Sequence, residues 1–287
     1  MRQMLVWSLA LISFGARAAT METRLADVQK GTGNDRVMVL ADTEGRVLWA
    51  DPRDEVLVKA LVLAHRAKAL VGIDYDLETG VIAGAKLLAD QNLPEVSGAR
   101  RQKRVDYYRP TVFGSLAQAQ AAFNSMDNQT RDDSQCYNRA HGWAYDLWRT
   151  RNVYSLKIFI FYTQRYIREY SYKWWFHVAP MVWVYDGQRT SEMVIDRSFS
   201  QMPLFVNVWT NTFMQNGARC PVVERYSQYR NYQEDAYCYL MRAYMYYSTP
   251  RDLEHLESRG REELDWNYAE LRAGRRQAFI HWERYDP

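Results

Sequence analysis

Along the 287-residue chain the spacing of apolar positions changes several times, and each change marks an element. Arg2 stands ahead of an apolar run from Leu5 to Phe14 that closes on Ala16-Arg17-Ala18. A basic start, an apolar run of about ten residues and an A-x-A site predict a secretory signal peptide over residues 1–18. The run is too short for a membrane anchor, which takes about 20 residues. Arg36 to Ala41 and Arg46 to Ala50 alternate around Asp42-Thr43-Glu44-Gly45 and predict a hairpin. Apolar spacing at 56, 57, 60, 61, 63 and 64 predicts a helix within 54–69, and two more strands follow, Ala69 to Ile73 and Val81 to Leu87, around Leu77-Glu78-Thr79-Gly80. The order is strand, strand, helix, strand, strand.

Beyond residue 110 the periods alternate again. Leu116 to Phe123 is helical in spacing, and a second helix follows Ser134, a good N-cap, with large or apolar residues at 137, 140, 144, 147 and 148. Val153 to Tyr162 alternates and predicts a central strand, placed beside an aromatic and β-branched strand over Trp174 to Tyr185. Asp186-Gly187 is a strong hairpin signal, and Glu192 to Asp196 reads as the returning strand. Pro180 within the first of these strands predicts an edge or a bulge. Met202-Pro203 and Asn216-Gly217 mark turns around the short apolar segment Leu204 to Phe213. Glu234 to Tyr247 and Asp252 to Trp282 carry helical spacing, with breaks expected at Gly260 and Gly274. Their aromatic load fits either a substrate groove or, as is commoner, core packing.

Composition adds a boundary. Residues 20–98 hold one Trp and one Tyr, whereas the whole chain has 10 and 21. Such a shift separates domains. Between them Gly98-Ala99-Arg100-Arg101-Gln102-Lys103-Arg104 is a basic, protease-accessible linker, or else a solvated connector that is never cut. With 47% hydrophobic residues the chain can bury a core, and the formal net charge of +3 leaves no footprint for nucleic acid. Asn128-Gln129-Thr130 matches a glycosylation sequon, which matters only in a eukaryotic secretory route.

Three cysteines in an exported chain invite a division of labour. Cys220 and Cys238 are close enough to close a short disulfide loop, which leaves Cys136 over; three unrelated buried thiols are the other reading. Cys136 lies in the first turn of its helix, where unpaired N–H groups and the positive dipole end favour an anion. A lone cysteine there can also be a small buried hydrophobe. A two-residue Asp186-Gly187 turn sets Tyr185 against Gln188 and, counted outward, His177 against Asp196, with Cβ atoms roughly 5 Å apart. An imidazole so placed can hydrogen-bond the carboxylate, which fixes its tautomer and supports its charged form. Cysteine at a helix start, then histidine, then a carboxylate on the next strand is the order of a papain-like site.

The local residues narrow this further. Cys136-Tyr137-Asn138-Arg139-Ala140-His141, then Trp174-Trp175-Phe176-His177-Val178-Ala179-Pro180-Met181-Val182, then Met193-Val194-Ile195-Asp196 resemble the bacterial protein-glutaminases, secreted enzymes that deamidate glutamine side chains within proteins. Their pattern is Cys-Tyr-x-Arg-Ala-His, an aromatic-rich strand ending in His-Val-Ala and a strand ending in Ile-Asp-Pro. Here Arg197 replaces the proline. The resemblance covers about residues 130–200. It implies an α+β protein with a papain-like or transglutaminase-like catalytic domain over 105–287, its cysteine helix packed on an antiparallel sheet, behind a small α+β pro-region over 19–104. It further implies Cys136 as nucleophile, His177 as proton carrier and Asp196 as its orienting acid, acting on protein or peptide substrates that bear glutamine, through a thioester.

The backbone N–H of Cys136 is one expected oxyanion donor, with Gln135 or Gln129 as candidates for a second. Trp174 and Trp175 are expected in the substrate groove, and His141 behind the site as packing or support. Cys136 and His141 are rotated by roughly 140° about a helix axis, so they do not converge on a metal. His65, His255 and His281 are scattered. No metal or cofactor is expected. The same triad would serve a thiol peptidase or a transglutaminase-like acyltransferase, and a non-catalytic binding module could keep the architecture. The pro-region in cis is the expected partner, the location secreted or periplasmic.

Overall fold

The computed structural model describes residues 18–30, 36–41, 45–67, 69–88, 110–259 and 266–285. The expected signal peptide up to residue 17, the expected turn at 42–44, the basic stretch 98–104 and the break expected at Gly260 lie outside the described residues. The leading section holds β1 (Ala18–Thr23), β2 (Leu25–Lys30), β3 (Val37–Ala41), β4 (Val47–Ala50), α1 (Glu55–Ala67), β5 (Val71–Asp76) and β6 (Ile82–Leu87). They form two three-stranded antiparallel sheets, β1-β5-β6 and β2-β3-β4. The hairpin, the helix and the later strand pair stand where the apolar pattern places them. Two strands precede them that it does not reveal. The apolar side of α1 (Leu57, Leu61, Ala64) closes a core with Val39, Leu48 and Ile73.

The second section runs through β7 (Val112–Phe113), α2 (Leu116–Ser125), α3 (Cys136–Arg151), β8 (Leu156–Tyr162), α4 (Gln164–Tyr170), β9 (Phe176–Tyr185), β10 (Thr190–Val194), β11 (Leu204–Phe205), α5 (Val206–Asn211), α6 (Tyr226–Asn231), β12 (Cys238–Tyr244), α7 (Pro250–Arg259) and α8 (Tyr268–Ala278), and ends in a short 3-10 turn, Trp282–Tyr285. Its sheet has the order β11-β10-β9-β8-β12, all antiparallel, with β7 added parallel to β9. Every residue of β8 is buried, so its alternation marks no solvent face. A central strand covered on both sides reads as a continuous apolar run.

Three expectations need correction. Glu234 to Tyr247 is not a helix: Cys238 to Tyr244 is β12, paired with Tyr162 to Leu156. Helical spacing of Tyr and Met loses there to the ladder offered by β8 and to a disulfide at its first residue. Gly274 does not break α8 but lies within it, where a Cβ would come within 2.9 Å of Asn138 on α3. Its lack of a side chain lets the two helices close up. Pro180 is neither on an edge nor in a bulge, since β9 lies between β8 and β10. Its carbonyl accepts from Ile195 N at 2.9 Å, but proline has no N–H to return the bond. The ladder ends there, and the chain leaves the sheet one residue before Asp196.

Cys220 and Cys238 are disulfide-bonded with Cα atoms 4.9 Å apart. The bond ties the segment around Val222, which pairs with Leu240, to the start of β12. It closes a loop with a sequence separation of 18. Replacing both cysteines by alanine should therefore lower stability by about 3 kcal/mol. A thermal midpoint unchanged from wild type would contradict this. Among the described residues no helix is long and apolar enough to cross a membrane.

The two sections share a core. Met38, Leu40 and Val47 belong to the same cluster as Ala140, Phe159, Trp175 and Phe176. Trp175 N donates to Gly45 O at 2.8 Å, its indole to Ala41 O at 3.0 Å, and Val47 N to Lys173 O at 2.9 Å. Gly45 has φ +61° and lies against the Phe176 ring, so a side chain there would collide with it. The leading section thus lies on the residues that run into His177.

Candidate active site

Cys136 is the first residue of α3, as its position after a helix-start signal requires. The N-cap, however, is Gln135 rather than Ser134. The Ser134 hydroxyl instead donates to Arg131 O at 2.6 Å and accepts from Arg139, whose guanidinium also holds the Ser134 carbonyl. Arg139, one helical turn on, thereby fixes the approach to the cysteine. Cys136 is a free thiol of intermediate exposure on a helix that packs against β9 and α8.

The hairpin that carries the imidazole and the carboxylate differs from the expected one by its turn. Asp186 N bonds Arg189 O, and Thr190 faces Tyr185, so the loop has four residues, not two. The register therefore slips by two positions, which leaves every side chain on its original face. His177 and Asp196 meet diagonally rather than directly opposed: His177 Nε2 donates to Asp196 Oδ2 at 2.7 Å. Both are buried, at 3% and 1% exposure. Cys136 is near enough to the same ring to help raise the His177 pKa, and Nδ1 is the ring nitrogen that Asp196 leaves open. The structure therefore brings together the three residues that the sequence singles out.

Electrostatics set the charge of the pair. Burial pulls the His177 pKa down, but the charge and hydrogen bond of Asp196, with Cys136 adding to them, outweigh it and raise it to about 9. Burial alone would push the Asp196 carboxyl up, yet His177 and the Trp209 indole hold it below its usual value. For His177 the sign is plain: its contribution to stability is complete below about pH 6.5 and is lost as pH rises through about 9. Any reaction that needs the imidazolium should fail over the same window. A pH–rate profile flat through pH 10 would contradict this.

After Asp196 the chain turns at once, with Phe199 N and Ser200 N donating to its carbonyl at 3.2 and 3.0 Å. Arg197 fits this turn without proline, donating to Phe123 O at 2.9 Å with its guanidinium over the Phe123 ring. Phe199, Trp209 and Phe213 surround the imidazole with ring centroids 5.0, 5.7 and 4.7 Å away. None of these three is signalled in the sequence, because they come from turns and a short helix without a periodic pattern.

The remaining candidates fall elsewhere. The Gln135 amide donates to Asp133 O at 3.0 Å, and the Gln129 backbone is tied to Asp127 and Ile280. Trp174 is 37% exposed and pairs with Arg46, whereas Trp175 is fully buried and offers no surface to a groove while the leading section is in place. His141 points away from the site: its Nδ1 lies 2.7 Å from the buried Lys157 Nζ, which also donates to Tyr247 O. Burial and the Lys157 charge hold His141 well below its usual pKa, so it accepts as a neutral ring. Burial lowers Lys157 to about 7 against the pull of Asp252 and Glu270. Among the described residues no group of three His, Cys, Asp or Glu side chains is placed to hold a metal ion.

Comparison with known proteins bears on this geometry. Residues 111–213 match the family model described as Glutaminase. No curated protein matches the chain. Among solved structures, a mutant of pro-protein-glutaminase is similar at 17% identity and a TM-score of 0.53, over 79% of this chain and 83% of that one. Pro-protein-glutaminase itself is similar at 15% identity and 0.52, over the same shares. These likenesses show a shared fold, a mixed α/β architecture with antiparallel sheets. The matched segment contains Cys136, His177, Asp196 and Trp209, so the part of the chain that carries these residues is similar to the glutaminase family.

Proposed function

We propose that the protein is a secreted protein-glutamine glutaminase, made as a proenzyme, that hydrolyses the side-chain amide of protein-bound glutamine to glutamate and ammonia. The observation that carries this reading is the buried His177, hydrogen-bonded to Asp196 and influenced by the nearby Cys136, the one free thiol among the described residues. In the proposed reaction the Cys136 sulfur, its proton passed to His177, attacks the carboxamide carbon. The backbone N–H of Cys136 at the helix start receives the developing oxyanion. The imidazolium then protonates the departing nitrogen, ammonia leaves and a thioester remains. Water, giving its proton to His177, attacks the thioester and releases glutamate and the thiol. Asp196 keeps the imidazole oriented and its charge balanced through both halves.

The leading section, residues 19–104, acts here as a pro-region. Its β3–β4 hairpin lies on Lys173 and Trp175 beside His177, which supports a role in covering the substrate groove. Removal after cleavage in the linker, near Arg104, would free it. The signal peptide read over residues 1–18 supports export, to the periplasm or the medium.

The test is mass spectrometry of a generic protein incubated with the full chain and with the chain after proteolysis of the leading section. Glutamines should gain about 1 Da, since NH2 is exchanged for OH, with ammonia released in equal amount and faster after proteolysis. A cut peptide bond, or a glutamine joined to an amine, would replace the deamidase by a peptidase or an acyltransferase.

A further inference from the structure

We propose that Trp209 is a positioning residue for the Cys136–His177–Asp196 reaction, its indole N–H fixing the carboxylate oxygen that holds the imidazole. The inference rests on the reading of these residues as a reactive group and extends it to a residue that no sequence pattern marks. Trp209 sits in α5 and is fully buried. Its Nε1 donates to Asp196 Oδ2 at 3.0 Å, the same oxygen that takes the His177 Nε2 bond at 2.7 Å. The other oxygen, Oδ1, has a longer bond, 3.3 Å from Ser198 N. One carboxylate oxygen thus receives two side-chain donors in a buried setting, with Phe199 beside the imidazole and Phe213 beside the indole.

The chemistry of the indole decides what this does. Tryptophan can only donate, unlike serine, tyrosine or histidine, whose polar atoms also accept. An Oδ2 that took the proton from His177 would be a much poorer acceptor for the indole N–H than the ionised oxygen is. Trp209 therefore disfavours that protonated state and keeps the shared proton on the imidazole. It also stops the carboxylate from turning, because α5 is held to β10 and β11 by packing. Loss of the N–H would leave a buried anion with one strong donor fewer, which makes it easier to protonate. The imidazolium that supports the sulfur would weaken with it. In line with this, the Trp209 hydrogen bond is among the causes that hold the Asp196 carboxyl low.

The test uses the full chain with Trp209→Phe, which keeps an aromatic ring but removes the donor. Cys220 and Cys238 are disulfide-bonded, so iodoacetamide reports on Cys136 alone among the described cysteines. The pH of half-maximal alkylation should move upward by about one unit, the scale of one lost hydrogen bond to a buried charge. Deamidation should fall about tenfold in kcat with KM unchanged. Trp143→Phe is the control, since its buried indole also gives up a bond, to Asp127 O at 2.7 Å, but away from the site. It should leave the alkylation midpoint where it is. A wild-type midpoint in Trp209→Phe, or an equal shift in Trp143→Phe, would overturn the inference. Absence of deamidation by the wild type would overturn the deamidase reading instead and leave the alkylation result to decide on Trp209. If Trp209→Phe does not fold, the indole N–H resonance of Trp209 in the 15N-labelled wild type should move with the alkylation midpoint; a resonance constant across it refutes the proposal.

Discussion

Replacing Cys136 by alanine should abolish ammonia release from a glutamine-bearing protein, a loss of at least about 10^4-fold. The size follows from what remains. Without the sulfur there is no thioester, and the His177–Asp196 pair is left with no nucleophile that the fold has placed beside it. The substitution should be nearly silent structurally, because Cys136 is only partly buried, carries no disulfide, and alanine is the best helix former at the start of α3. A thermal midpoint close to wild type with no ammonia is the expected result. Retained release in Cys136→Ala would rule out thiol chemistry.

Asp196→Ala should be costly in a second way. Cys136 and Asp196 stand differently in the fold. Asp196 is 1% exposed and receives His177, Trp209 and Ser198, so its truncation strands a buried imidazole and a buried indole N–H. Removing one partner of a buried pair costs roughly 3–5 kcal/mol. Asp196→Asn keeps an acceptor of the same shape but not the charge, so it should fold much better than the alanine variant yet lose about 10^2–10^4-fold in rate. Urea unfolding separates the two effects. Equal stability of the alanine variant and wild type would mean that the pair does not hold the fold. The low-pH sign follows too: Asp196, held below 3.8, contributes stability above that value and loses it as pH falls through its lowered pKa.

How the sequence came to place this pair explains what could be read and what could not. Asp186-Gly187 located the turn but not its length, and four residues stand where two were expected. The pair survived that error because a slip of two keeps face parity, whereas a slip of one would have turned Asp196 away from His177. Cys136 was placed by a helix start whose period is unmistakable from Tyr137 to Trp148, although Ser134 is not its cap. β12 could not be read, since what makes Cys238–Tyr244 a strand is β8, some 75 residues earlier, together with a covalent bond to Cys220. Trp209 and Arg139 act through atoms that only the folded chain brings near Asp196 and Ser134. The spacing of apolar residues reports the side an element buries. It does not report which hydrogen bonds its neighbours make.

The core that joins the leading section to the rest has a consequence for how such a molecule would be switched on. Met38, Leu40 and Val47 are packed with Trp175 and Phe176, and backbone bonds tie the β3–β4 hairpin to the same segment. A nick in the connector would leave these attachments untouched, so the severed piece would stay bound as a tightly held ligand with a residence time of its own. Maturation would then be timed by dissociation or by digestion of that piece, rather than by the first scission.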